Sequence, residues 1–129
     1  MPDDQDFTGW NILLVDDDPG GLDVLQELLG FFGATAHTAW NGQKALEQIK
    51  EHTFDLIITD LSMPIMDGIQ LTKTLKADPE TAKIPIVMLT AHALDHANAL
   101  QAGCDAIMTK PINPATLVSE LKALLSNRE

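Results

Sequence analysis

Short apolar bursts alternate with amphipathic stretches along the chain, the pattern of strands and helices that follow one another around a parallel sheet. Residues 11–15, Asn-Ile-Leu-Leu-Val, are bounded by polar positions, which predicts a first strand buried on both faces. Pro19 suits a first helical turn, and Leu22, Leu25, Leu28, Leu29 and Phe32 recur at helical spacing until Gly33 ends the run. A weaker second strand is expected over 35–39, a helix near 42–51, and a third strand over 54–59, where Leu56, Ile57 and Ile58 are consecutive. The third helix covers 67–77 and closes at Asp78-Pro79, and a fourth strand follows over 86–89. An alanine-rich helix over 94–102 stops at Gly103, and a fifth strand covers 105–109. Asn113-Pro114 then supplies a cap and first turn for a last helix with Leu117, Leu121, Leu124 and Leu125 on its apolar face. Five such units suit an open, doubly wound α/β sheet, whereas a closed barrel needs eight.

Open sheets of this kind place their ligands at the carboxyl ends of the strands. Strand 1 hands over to Asp16-Asp17-Asp18, strand 3 to Asp60, strand 4 to Thr90 and strand 5 to Lys110. If strands 1 and 3 are neighbours, Asp16, Asp17 and Asp60 converge, and three close carboxylates repel one another unless a cation offsets the charge. All-oxygen ligands select a hard ion, and a site with few protein ligands, open to waters and a phosphate oxygen, favours Mg2+ over Ca2+. Lys110 adds a positive charge and Thr90 a hydroxyl donor, so the set can hold a phosphoryl group on a carboxylate nucleophile. Singly, each residue reads as an ordinary strand-end polar group, and Asp18 before Pro19 as a helix cap. Their shared chemistry at four strand ends argues against coincidence.

Composition narrows the possible partners. A chain of 129 residues, 45% of them apolar, is one domain with a real core. The net charge is −11, and no Lys or Arg precedes Lys44 while eight acids do. Direct nucleic-acid binding and attraction to an anionic membrane are disfavoured, because both need basic clusters. No apolar run reaches the length of a membrane span, and the acidic N-terminus lacks the order of a secretory signal. The lone Cys104 excludes an internal disulfide, fits a reducing compartment and reads as a small buried apolar residue, so a cytoplasmic location is expected. Residues 1–9 are expected to be a short polar tail, 10–126 the domain, and 127–129 a frayed end.

The segments Ile12-Leu-Leu-Val-Asp-Asp-Asp18, Ile58-Thr-Asp-Leu-Ser-Met-Pro-Ile-Met-Asp-Gly68, Pro85-Ile-Val-Met-Leu-Thr-Ala91 and Thr109-Lys-Pro111, in this order and spacing, resemble a response-regulator receiver domain. The resemblance extends from about Asn11 to Leu125. It implies a flavodoxin-like (βα)5 fold with a five-stranded parallel sheet in the order 2-1-3-4-5. It further implies Asp60 as phosphoacceptor, Asp17 as a direct Mg2+ ligand, Asp16 acting beside it through water, and the backbone carbonyl of Ser62 completing the metal site. Mn2+ is expected to substitute for Mg2+. By the same resemblance Thr90 binds the phosphoryl group and switches, Lys110 contacts its oxygens, the Lys110-Pro111 bond is cis, and Gly68 is the usual loop glycine. A cis bond is physically accessible there, costing X–Pro only about 0.5–1 kcal/mol. The implied protein is a stand-alone signalling phosphoacceptor charged by a sensor histidine kinase or histidine phosphotransfer protein, with self-catalysed phosphotransfer and hydrolysis only. It would signal by protein contact through the face of helix 4, strand 5 and helix 5, as a monomer or a phosphorylation-dependent dimer.

One position departs from the family pattern. Receivers usually carry Tyr or Phe three residues before the Lys, as part of the switch, whereas this chain has Ile107 and no Tyr at all. Ile107 reads as a packing strand residue, leaving the switch to Thr90 and loop movement. Ser62 is expected to influence phosphoryl lifetime. The alternatives are a receiver-fold adaptor that acts without phosphorylation, and a small haloacid-dehalogenase-like phosphatase using Asp16-Asp17-Asp18, which leaves the Asp60 loop unexplained. His92 and His96 stand four apart without an evident third ligand, so they read as surface or partly packed residues. His37 and His52 read as isolated, Trp10 and Trp40 as packing beside strands, and Met63, Met66 and Met88 as turn and core residues.

Overall fold

The computed structural model describes residues 7–126. Five parallel strands, β1 (Asn11–Val15), β2 (Thr35–Ala39), β3 (Leu56–Asp60), β4 (Ile86–Thr90) and β5 (Ala106–Thr109), form one sheet in the order β2-β1-β3-β4-β5. The helices between and after them are α1 (Pro19–Phe31), α2 (Gly42–Glu51), α3 (Gly68–Ala77), α4 (His96–Ala102) and α5 (Pro114–Ser126). This is the flavodoxin-like arrangement expected from the sequence.

Both faces of the sheet are covered, which explains why its central strands are apolar runs and not alternating sequences. Ile12, Leu14, Leu56, Ile58, Val87 and Leu89 point to one face and pack with Leu22 and Leu29 of α1 and Leu117, Leu121 and Leu125 of α5. Leu13, Val15, Ile57, Ile86 and Met88 point to the other and pack with Ala45 of α2, Leu71 and Leu75 of α3, and Ala99 of α4. Cys104 is buried in this second core. The side-chain period of two thus divides each strand between two cores.

Local signals start the helices. Asp18 accepts from the Gly20 N–H ahead of α1, Asn41 accepts from Lys44 N–H ahead of α2, and Asp67 with Gln70 forms a reciprocal capping box on α3. The strand bounds differ in instructive ways. β3 starts at Leu56 instead of 54, because Phe54 leaves the ladder and is buried against the His37 and His52 rings. At the other end Asp60 and Thr90 are still paired strand residues, opposite Leu89 and Thr109. β5 starts at Ala106, since Asp105 uses its carboxylate to accept the Ile86 N–H at 2.8 Å. The fourth helix is shorter than expected: Ala93–Asp95 form a 3-10 turn, and Asp95 at the head of α4 makes no cap hydrogen bond to it.

Four further residues depart from the sequence reading. Phe7, expected in the polar tail, is 1% exposed and packs on Phe32 at 5.7 Å between ring centroids. Residues 1–6 of the tail and the 127–129 end lie outside the described residues. Trp40 does not pack beside its strand: it is 62% exposed, with the Lys44 ammonium 5.9 Å from its ring centroid. His37 and His52 are not isolated but stacked, 5.5 Å apart. Trp10 does pack on the first core, Met63 and Met66 pack on the second, and Met88 is wholly buried in it.

Candidate functional site

The carboxyl ends of β1, β3, β4 and β5 meet at one edge of the sheet. Asp16 continues β1, its N–H donating to the Ala39 carbonyl, and one carboxylate oxygen accepts from the Asp18 N–H at 3.0 Å. Asp16 and Asp60 are buried, while Asp17 is exposed. The three offer carboxylate oxygens that all lie within 4.8 Å of one another. Among the described residues this is the only group of three or more acidic, His or Cys side chains so arranged. Hard oxygen donors, one side open to solvent and no soft ligand are what a Mg2+ site needs, so the donor set fits that ion.

Lys110 enters from the end of β5. Its N–H donates to the Thr90 carbonyl at 2.8 Å, and its ammonium stands 2.8 Å from Asp60 Oδ1 and 3.8 Å from Asp16 Oδ2. The following Lys110-Pro111 peptide is cis, as the resemblance implied. Burial pushes the Asp16 carboxyl above its ordinary range; the charges of Asp60 and Asp17 push the same way, against the Asp18 N–H and Lys110. For Lys110, burial acts to lower the pKa, but the hydrogen bond to Asp60 and the charges of Asp60, Asp16 and Asp18 outweigh it and hold the ammonium above its ordinary value. One lysine therefore serves a pocket with more negative charge than it can neutralise.

The loop after Asp60 is fixed by close approach. A Cβ at Gly68 would fall onto the Asp60 carbonyl oxygen and within 3.0 Å of Leu61 Cα, both backbone atoms. Only glycine lets the Gly68 N–H reach the Leu61 carbonyl at 2.8 Å and turn the chain into α3 beside the acidic strand end. Ser62 and Ile65 are exposed on this loop, and Ile65 holds φ at 71°, a costly conformation for a β-branched residue. On the other side, a Cβ at Gly21 would stand 3.2 Å from Asp16 Oδ2, so glycine in α1 keeps space at that carboxylate. A cleft of about 380 Å³, lined by Asp16, Gly21, Val24, Leu25, Lys110 and Pro111, opens between α1 and the segment after β5.

Thr90 lies at the end of β4, directly after the register partner of Asp60, and its hydroxyl is engaged by the connection to α4. It accepts from the His92 N–H at 3.1 Å, and its single proton has two acceptors within reach, Asp95 Oδ2 at 3.2 Å and the His92 carbonyl at 3.3 Å. Ile107 is half-buried on β5, opposite Met88, and packs on the second core. His96 Nε2 lies 3.1 Å from Thr109 Oγ1, and His92 is exposed. The structure thus brings Asp16, Asp17, Asp60 and Lys110 together and leaves the Thr90 hydroxyl held elsewhere. Asp95, its partner, was not singled out by sequence; an Asp at a helix start reads as a cap, and nothing local marks it otherwise.

A receiver fold with this pocket matches known proteins throughout. The profile of the response regulator receiver domain matches residues 12–122. The polar-differentiation response regulator DivK of Brucella anthropi is 31% identical over 91% of this chain and 97% of its own length. The probable transcriptional regulator ycf29 of Porphyra purpurea is 36% identical over 90% of this chain, which spans 56% of that protein. Among solved structures, the receiver domain of the sensor histidine kinase PA1611 of Pseudomonas aeruginosa superposes with a TM-score of 0.86 at 31% identity, covering 93% of this chain and all of that one. That structure has a magnesium ion coordinated in its active-site cleft. The chain belongs to the response-regulator receiver family, the phosphoacceptor modules of two-component signalling.

Proposed function

We propose that Asp60 is the phosphoacceptor of this receiver. The observation that carries the reading is the Lys110 ammonium 2.8 Å from Asp60 Oδ1, beside the cluster of Asp60 with Asp16 and Asp17. An Asp60 carboxylate oxygen attacks phosphorus, the bond from phosphorus to the donor imidazole nitrogen breaks, and an acyl phosphate forms; water later attacks phosphorus, releasing inorganic phosphate and the free carboxylate. Asp16, Asp17, Asp60 and the Ser62 carbonyl are the proposed Mg2+ ligands, with Mn2+, another hard ion, able to substitute. Bound there, the ion would supply positive charge for the phosphoryl oxygens; the PA1611 receiver has a magnesium ion coordinated in its active-site cleft. Lys110 holds a second phosphoryl oxygen, and Thr90 donates its hydroxyl to a third.

The phosphodonor in this reading is a sensor histidine kinase or histidine phosphotransfer protein, acting in the cytoplasm, and the cleft between α1 and Pro111 opens beside Asp16 and Lys110. None of the described helices is long and apolar enough to cross a membrane. Output runs through the face of α4, β5 and α5, where Leu94 ahead of α4 and Leu100 within it are 94% and 58% exposed. Such side chains suit a protein partner or a second, phosphorylated copy.

Intact-protein mass after incubation with acetyl phosphate, with and without Mg2+, tests this. The expected result is one phosphoryl adduct on the wild type that requires Mg2+ and is absent from Asp60→Asn. An adduct that survives in Asp60→Asn, or forms equally in a chelator, refutes the assignment.

A further inference from the structure

Thr90 has one hydroxyl proton, and in this structure that proton serves the β4–α4 connection. Its polar neighbours are the Asp95 carboxylate at 3.2 Å and the His92 carbonyl at 3.3 Å. A phosphoryl oxygen on Asp60 would need the same proton. A hydroxyl can accept from the His92 N–H in either arrangement, but it cannot donate fully to a carboxylate and to a phosphoryl oxygen at once. Of its two present acceptors the Asp95 carboxylate is the stronger and the neutral His92 carbonyl the weaker, since hydrogen bonds to charged groups exceed those between neutral ones.

The geometry around Asp95 shows that it is held in this role. Asp95 stands at the head of α4, where an Asp ordinarily accepts from the first-turn N–H groups, yet it makes no such bond. The next residue, His96, has its Nε2 at 3.1 Å from Thr109 Oγ1. Thr90 and Thr109 are register partners at the ends of β4 and β5. Two consecutive residues at the start of α4 therefore engage two paired strand-end threonines. With Ile107 half-buried against the second core where the family carries a mobile ring, the Thr90–Asp95 bond links Thr90 directly to the head of α4, and the His96–Thr109 contact links its register partner to the next residue.

We infer that Asp95 is a positioning residue that competes with the phosphoryl group for the Thr90 hydroxyl and so biases the domain toward its unphosphorylated conformation. The inference rests on the reading of Asp60 and Thr90 given above. Phosphorylation exchanges one acceptor of Thr90 for another, and the released Asp95 frees the 3-10 turn and the exposed Leu94 that it carries. Weakening the Asp95 bond should make the phosphorylated state easier to reach without touching the metal ligands.

The test compares wild type with Asp95→Ala, Asp95→Asn, Thr90→Ala and the Thr90→Ala/Asp95→Ala double variant. It reads the steady-state ratio of phosphorylated to free protein with acetyl phosphate and Mg2+, and the Mg2+ affinity of the free protein by calorimetry. Loss of a partly exposed hydrogen bond to a carboxylate should raise the ratio about three- to tenfold in Asp95→Ala. Asp95→Asn, which keeps the shape and a neutral acceptor, should rise less, and it carries the test if alanine disturbs the turn. Mg2+ affinity should stay at the wild-type value, and the Asp95→Ala effect should vanish in the Thr90→Ala background. An Asp60-dependent adduct whose ratio is unchanged in both Asp95 variants overturns the inference and leaves the assignment of Asp60 standing. The same rise in the Thr90→Ala background also overturns it, because Asp95 would then act without Thr90. A wild type that takes no phosphoryl group removes both readings.

Discussion

Asp16 carries the electrostatic conflict of the pocket. It is 6% exposed, its carboxyl is pushed above the ordinary range by burial and by the charges of Asp60 and Asp17, and Lys110 is 3.8 Å away while lying closer to Asp60. A carboxyl whose folded pKa exceeds its unfolded value binds more protons in the folded state, so stability falls as pH rises from the unfolded value through the folded one. Without divalent ion, Asp16→Asn should therefore raise the unfolding free energy at pH 7 by on the order of 1 kcal/mol, a common size for one substitution. The amide oxygen can still accept from the Asp18 N–H. Urea titrations in a chelator at several pH values check this: the advantage of the variant should shrink as pH falls and the wild-type carboxyl takes up its proton. An advantage that is constant with pH, or a loss at pH 7, contradicts the account. The residues of this conflict were legible in the sequence, because acids at the ends of strands 1 and 3 must meet if those strands pair. Their partners were not: the direction of the Thr90 hydroxyl and the stacking of His37 on His52 depend on tertiary placement that no local pattern encodes.

At the scale of elements, two aspartates start strands. Asp55, just ahead of β3, accepts the Asn11 N–H at 2.8 Å, and Asp105, just ahead of β5, accepts the Ile86 N–H at the same distance. Each satisfies a donor at the start of the neighbouring parallel strand, where the ladder has no carbonyl to offer. The role of Asp105 explains why the sequence placed the first residue of β5 too early, since a polar strand-start cap and a polar strand residue look alike in a linear pattern. The start of β3 was placed early because Phe54 is apolar but packs outside the ladder. The apolar runs and helix caps were legible because they are local. Lys76 of α3 ties the second of these aspartates to the connection before β4, with its ammonium 3.2 Å from Asp105 Oδ2, 3.0 Å from the Ala82 carbonyl and 2.9 Å from the Ile84 carbonyl. Lys76→Met keeps the apolar stem and removes all three bonds. It should lower the unfolding free energy by about 1–3 kcal/mol, through partly buried acceptors left unpaired. The expected sign in urea is a lower midpoint with an unchanged slope; a midpoint equal to wild type would mean that the connection finds other partners at no cost.

For the whole molecule, charge and site act in the same direction. The chain has a net charge of −11, no Lys or Arg before Lys44, and three carboxylates gathered at one end of the sheet. Self-repulsion of this size weakens the compact state, and the long-range field raises the local concentration of cations near the pocket. Any divalent ion that binds the folded form and not the unfolded chain adds its binding free energy to stability. Mg2+ at a hundredfold excess over its dissociation constant should thus add about 2.7 kcal/mol. For a domain of this size that is a rise in the thermal midpoint on the order of 10 °C. General screening of the acidic surface would also raise the midpoint, but it depends on ionic strength and not on the identity of the ion. The two contributions separate in a thermal series with MgCl2 and with NaCl at matched ionic strength, run on wild type and Asp17→Asn. Asp17 is exposed and belongs to the cluster, so its neutralisation removes a proposed ligand with little loss of packing. The wild type should rise steeply with MgCl2 and only slightly with NaCl, while Asp17→Asn should respond to both salts alike. Equal MgCl2 responses in the two proteins would mean that the ion stabilises the fold through its overall charge and not through the pocket.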